Sequence, residues 1–231
     1  MGKDNKARSK RMRLMIAVLT VWLPQGIKQP LLNKLLGYEI HHSARIGLSL
    51  IYPVRLIMGP NSRIGSLNLC KGLSLLEIGE FGIIGNLNWI TAVPIEASAF
   101  SDEIDRKPQL LLREHAAITN RHLIDCCNKV EIGRFSTFAG FRSQILTHAI
   151  DLNNSLQQSA PVSIGDYCFI GTSSVVLAGS VLPNHCVLGA SACLTEAFSE
   201  EYTLYAGVPA RAVKSLNSDM KYFDRKHGFV L

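Results

Sequence analysis

The sequence predicts an all-β fold built as a parallel coil of very short strands, and three observations carry that expectation. Residues 164–199 divide into six consecutive hexads, IGDYCF, IGTSSV, VLAGSV, LPNHCV, LGASAC and LTEAFS. Their first positions, Ile164, Ile170, Val176, Leu182, Leu188 and Leu194, are all aliphatic. Their fifth positions are small (Cys168, Ser174, Ser180, Cys186, Ala192), with Phe198 the exception. A period of six fits neither the 3.6-residue helix nor an alternating strand. It fits a prism in which each hexad supplies one strand and one corner and three hexads complete a coil. The aliphatic side chain then points inward, and no hexad can bury it without a neighbouring coil.

The elements follow in order. Residues 1–36 read as a basic tail leading into a helical, apolar segment. Lys3, Lys6, Arg8, Lys10, Arg11 and Arg13 stand against Asp4 alone, so this stretch holds most of the chain's net charge of +6. Leu14 to Leu23 is apolar apart from Thr20 and is stopped by Pro24. It is too short to span a bilayer, which needs about 20 residues. A helix packed on the body and an interfacial helix on anionic lipid both fit residues 1–24. No small-x-small cleavage site follows, which argues against a secretory signal.

Residues 37–199 are expected to form the coil. Ile46-Gly47 and Ile64-Gly65 stand 18 apart, and Ile78, Ile84 and Ile90 mark one full turn. Ile118, Ile124, Ile132 and Phe138 continue the pattern with slips. Residues 94–109 and 149–162 break it and read as loops, where functional groups concentrate. Residues 200–231 read as an extension containing a helix.

Composition excludes several classes. With the tail removed the body is nearly neutral, so the pI near 9.1 does not mark a nucleic-acid-binding face. Six cysteines at 70, 126, 127, 168, 186 and 193 show no zinc-ligand spacing and read as reduced thiols of a cytoplasmic protein. No Gly-x-Ser-x-Gly elbow occurs.

The hexads, the loop opening at Thr147-His148 and the closing run YAGVPARAVK resemble the hexapeptide-repeat acyltransferases. Within them the chain looks most like the O-acetyltransferases of polysaccharide biosynthesis. The strong resemblance covers about residues 115–216 and, through the weaker repeat, reaches back to residue 38. It implies a left-handed parallel β-helix, a homotrimer, and transfer of an acetyl group from acetyl-CoA to a hydroxyl of a sugar or glycan precursor. No metal is expected, and with the reduced thiols the basic residues 1–24 fit a cytoplasmic protein in contact with the inner membrane face. His148 occupies the place of the family's catalytic histidine, and an imidazole is suited to general-base work at neutral pH. Asp151, three residues on, is a candidate to orient it. Asn120 and His122 are candidate acceptor contacts. By position, cofactor contacts carry over to Gly171, Thr172, Ser173, Ala190 and Thr195, with a backbone N–H near Thr172 or Ser173 for the oxyanion and Arg211 and Lys214 for the phosphates. Glu196 departs from the pattern, placing an acid where the family often has a lysine. Two other classes fit less well: a noncatalytic β-helix scaffold, and a β-helix metalloenzyme of the carbonic anhydrase type, which needs a cluster of three histidines.

Overall fold

The computed structural model describes residues 3–228 apart from 101, 102 and 104, with side chains described from residue 10 onward. Met1, Gly2, the side chains of the tail up to Ser9, and residues 229–231 lie outside the described residues. The body is a parallel β-helix of three sheets, with seven, nine and seven strands. One wall buries Ile40, Met58, Ile78, Leu112, Ile132, Ile164 and Leu182; the second buries Ile46, Ile64, Ile84, Ile118, Phe138, Ile170 and Leu188; the third buries Ile51, Cys70, Ile90, Ile124, Ile145, Val176 and Leu194.

The coil length varies. Steps of 18 residues relate Ile46 to Ile64, Ile164 to Leu182 and Val176 to Leu194. Steps of 20 relate Ile64 to Ile84 and Leu112 to Ile132. Two longer steps accommodate excursions. From Ile84 to Ile118 the chain makes a loop whose described residues include a 3-10 turn, Ser98–Phe100. From Phe138 to Ile170 it makes an antiparallel hairpin of His148–Asp151 with Leu156–Ser159.

Stacking is reinforced by side chains at the corners. Where the second sheet turns into the third, Ser49, Asn68, Asn88, His122 and Ser143 form a buried ladder. Each side chain accepts from the backbone N–H of the next coil: Ser49 Oγ from Asn68, Asn68 Oδ1 from Asn88, Asn88 Oδ1 from His122, His122 Nδ1 from Ser143, and Ser143 Oγ from Ser174. On another corner six rings stack in sequence, Phe81, His115, Phe135, Tyr167, His185 and Tyr202, at centroid spacings of 4.5 to 5.5 Å. All six adopt left-handed φ between 50° and 57°, a conformation L-residues seldom hold without compensation from their neighbours.

Two helices close the first coil. α1 (Lys3–Thr20) and α2 (Gln25–Leu36) are separated by Pro24, and α2 ends on Gly37 at φ 66°, whose N–H bonds Asn33 O. One face of α2 is polar because it pairs with the open strand edge. Gln25 bonds Ala44 O and Ile46 N, Lys28 donates to Ile46 O and Gly47 O, Gln29 donates to Ile40 O, and Asn33 bonds both polar backbone groups of Ile40.

The other end corrects an expectation. Among the described residues beyond 199 no α-helix stands where the sequence predicts one: the chain forms a strand, Thr203–Ala206, joined to the second sheet, and an antiparallel return, Arg211–Ser215. A single 3-10 turn, Lys221–Asp224, follows. Alternation explains this, since Thr203 and Tyr205 are buried while Leu204 and Ala206 are less so, a period of two rather than 3.6. Beyond it, Phe223 packs edge-on against His185 and Tyr202, and Tyr222 donates to Cys168 O.

His122 is 2% exposed, and burial pushes its imidazole down to about 4. The unfolded chain therefore binds a proton between about pH 6.5 and 4 that the folded chain excludes, and stability falls as pH falls through that window. Denaturant titrations at pH 7 and 4.5 should show the wild type losing on the order of 2–3 kcal/mol more than His122→Asn, which retains an acceptor without a titrating group. Equal losses would contradict the assignment.

Candidate active site

The site forms where the third sheet hands over to the first. The strand Leu123–Asp125 pairs with Gln144–Leu146 one coil later, with Ile124 opposite Ile145. This register brings Asp125 beside Thr147 and His148. Asp125 is 6% exposed, and its carboxylate accepts four hydrogen bonds. Oδ1 takes the Cys127 N–H at 3.1 Å; Oδ2 takes the Thr147 N–H and hydroxyl, both at 2.9 Å, and His148 Nδ1 at 2.7 Å. Burial alone would raise this carboxyl. The bonds from Cys127, His148 and Thr147, with the attraction of His148, outweigh it and hold the carboxyl below its ordinary value.

His148 has 38% of its side chain exposed, so it is anchored on one nitrogen and open on the other side. Phe100 stands edge-on to it at 6.0 Å between ring centroids. That wall is fixed from behind: the Arg106 guanidinium lies 4.3 Å over the Phe100 ring and donates to Val93 O, Pro94 O and Cys127 O. Across the hairpin, Ser159 is the strand partner of His148. Its N–H and hydroxyl donate to the Glu103 carboxylate, and Asn128 Nδ2 bonds its oxygen at 3.0 Å. The 94–108 loop and the 148–159 hairpin are thus tied together around the imidazole.

Several residues singled out in the sequence lie elsewhere. Asp151 does not orient His148; its carboxylate accepts from Asn153 N–H, Asn154 N–H and Asn154 Nδ2 in the hairpin's own turn. The strand direction decides this, because the chain leaves the coil at His148 and carries Asp151 outward. Asp125, 23 residues upstream, takes the role. His122 and Asn120 sit at a different corner, before the third sheet rather than after it. Both His122 nitrogens are used internally, Nε2 with Thr119 Oγ1 at 2.9 Å and Nδ1 with Ser143 N–H. Asn120 Oδ1 accepts from the backbone and side chain of Asn86.

Gly171, Thr172, Ser173 and Ala190 share that other corner. Gly171 is required by close stacking, since a Cβ there would lie 2.5 Å from Ala190 N. Thr172 Oγ1 donates to Phe141 O at 2.9 Å, and the Ser173 N–H also bonds Phe141 O. The Ser173 amide is therefore not available as an oxyanion donor. Thr195 follows the last third-sheet strand, on the same corner as His148 but later in the stack. Near it Arg211 Nη1 bonds Glu196 Oε1 at 2.5 Å, both exposed. Lys214 lies on the exposed return strand.

Asp125, Cys127 and His148 also place ligand-type atoms within 4.8 Å of one another, the one such group among the described residues. The Cys127 thiol accepts from Val93 N–H, and burial pushes it up to about 12. Nδ1 of His148 is already engaged by the Asp125 carboxylate at 2.7 Å, so these side chains stand as a hydrogen-bonded pair with the thiol beside it.

No protein-family model matches the chain, and no curated protein matches it. Solved structures do. The polysialic acid O-acetyltransferase OatWY matches over 77% of this chain and 84% of its own, at 18% identity and TM-score 0.50. The hexapeptide-repeat containing acetyltransferase VCA0836 from Vibrio cholerae matches over 90% of each chain, at 16% identity and TM-score 0.50. The likeness is one of fold: the chain is a left-handed parallel β-helix of hexapeptide repeats, the architecture that the sequence resemblance implies.

Asp125→Ala should destabilise the chain by about 3 kcal/mol in chemical denaturation, because it strands several buried donors. Asp125→Asn, which retains the shape and one acceptor oxygen, should cost less. A loss under about 1 kcal/mol for the alanine variant would contradict the buried hub described here.

Proposed function

We propose that the protein is an acetyltransferase that moves an acetyl group from acetyl-CoA to a hydroxyl of a sugar or glycan precursor. The observation that carries this reading is the buried Asp125 carboxylate 2.7 Å from Nδ1 of the half-exposed His148. With Nδ1–H donated to the carboxylate, Nε2 carries the lone pair on the open side. There it takes the proton of the acceptor hydroxyl as that oxygen attacks the thioester carbonyl. The C–S bond breaks, and His148 returns the proton to the departing thiolate, leaving an acetyl ester and a free CoA thiol. Asp125 stabilises the imidazolium between these steps. Transfer is direct, with no acyl-enzyme.

The fold shared with the two acetyltransferase structures supports the donor class, as does the repeat. One of those two proteins is a polysialic acid O-acetyltransferase, which is consistent with a glycan acceptor. The Thr172–Ala190 corner and the His148 corner lie on different edges of one prism. Side-by-side copies would bring the first edge of one chain to the second edge of its neighbour, which favours a homotrimer with its sites between protomers. Six free cysteines, five of them buried, suit a reducing, cytoplasmic setting.

Turnover of acetyl-CoA with a panel of glycan acceptors should fall at least ~10²-fold in His148→Ala, the low end for loss of a general base, with acetyl-CoA binding retained. Unchanged CoA release would sink the assignment. Loss of wild-type activity on chelation would instead favour a metal held by Asp125, Cys127 and His148.

Glu196 tests the donor end. If Arg211 holds a phosphate of acetyl-CoA, its pairing with Glu196 opposes that contact. Glu196→Gln should then lower the KM for acetyl-CoA and Arg211→Ala should raise it, with kcat at saturation little changed. A pure kcat effect from either would contradict the role.

A further inference from the structure

The helix α1 has a two-sided character that the fold does not use up. Its inner side, Ile16, Ala17 and Thr20, packs on the body, with Ala17 and Thr20 buried. At 3.6 residues per turn, Met12, Met15, Val18 and Leu19 fall within an arc of about 120° on the opposite side. They are 45%, 57%, 51% and 67% exposed, and Trp22 just beyond the helix is 76% exposed. Arg11 lies on the same arc, a turn closer to the N-terminus, and is exposed.

The charge beside this face says what covers it. Residues 1–13 hold six Lys and Arg against Asp4, and residues 14–27 hold no acid. A protein partner for an apolar strip asks for no such excess, whereas an anionic bilayer does. An apolar face enters the acyl boundary while nearby positive charge, Arg11 among it, is drawn to anionic headgroups, and an indole sits at that boundary by preference. No described helix is long and apolar enough to cross a membrane, so the contact is one of lying in the surface.

We infer that α1 and Trp22 dock the protein in the plane of an anionic phospholipid bilayer, through Met12, Met15, Val18, Leu19 and Trp22, with the net positive charge of residues 1–13 adding electrostatic attraction. α1 packs on α2 and the third strand of the first coil, remote in the stack from His148. The docking therefore stands apart from the activity proposed above, and a failure of either leaves the other in place.

The test uses the full chain with vesicles of phosphatidylcholine plus phosphatidylglycerol, against vesicles of phosphatidylcholine alone. The chain has two tryptophans, so a Trp89→Phe background isolates Trp22. Co-sedimentation with the anionic vesicles and a blue shift of Trp22 emission are expected, both weakened by salt. The pair Met15→Glu with Leu19→Glu changes exposed positions and should leave the circular dichroism unchanged while lowering vesicle affinity at least ~10-fold. Lys10→Gln with Arg11→Gln should lower it about 30-fold. Absence of binding to anionic vesicles would overturn the inference. So would full binding by the double glutamate variant, which would reduce the contact to charge alone. A wild-type oligomer that the glutamates dissociate, without lipid binding, would assign the face to a second copy of the chain.

Discussion

Vertical stacking of one coil on the next is the interaction on which everything else in this molecule depends. A two-residue strand has no stability of its own, and an inward isoleucine buries its side chain only when the coils above and below are present. The strand hydrogen bonds run between coils, so register is shared along the whole prism. Once Ile124 lies against Ile145, the residues following each of them are also neighbours. Asp125 meets His148 because two coils are in step, with no local sequence relation between them.

The regular part of that stack was legible in the sequence because its hexads run unbroken from Ile164 to Leu194. Earlier coils were only partly legible, since steps of 20, 21 and 34 residues replace 18 wherever a corner takes an extra residue or a loop. His148 stands out in the sequence because it opens a loop at the end of a readable coil. Asp125 was missed for the complementary reason: its partner lies across a slipped coil, where nearness in sequence favoured Asp151. The reading of His122 as an acceptor contact has a physical source as well. An imidazole attracts a catalytic interpretation, yet this one stands in the same ladder as Asn68 and Asn88. Each of these residues sits two positions before an inward side chain, Cys70, Ile90 or Ile124. That offset places a polar group beside the core at one corner, and it was available as a signal.

The surroundings of the imidazole show a division of labour between repeat and insertion. The repeat supplies Asp125, buried and held by amides, a rigid acceptor that needs no rearrangement. The insertions supply Phe100, Glu103 and Ser159, which shape the open side. Arg106 joins the two, its guanidinium donating to carbonyls on the loop and on the coil while covering the Phe100 ring. A scaffold of this kind can change its surface by changing loops, with the Asp125–His148 pair left alone.

The two ends of the prism differ from its middle in a way that bears on solubility. A stack of parallel strands exposes at each end a row of amides and carbonyls able to accept another coil, from the same chain or from a stranger. At the first coil, α2 occupies that row with Gln25, Lys28, Gln29 and Asn33. At the last, the second sheet is finished by a strand running in the opposite direction, Arg211–Ser215, whose five residues are all exposed. A helix cannot extend a sheet, and a charged antiparallel edge is a poor template for a parallel one. The molecule is thereby a closed length of what would otherwise be a fibre.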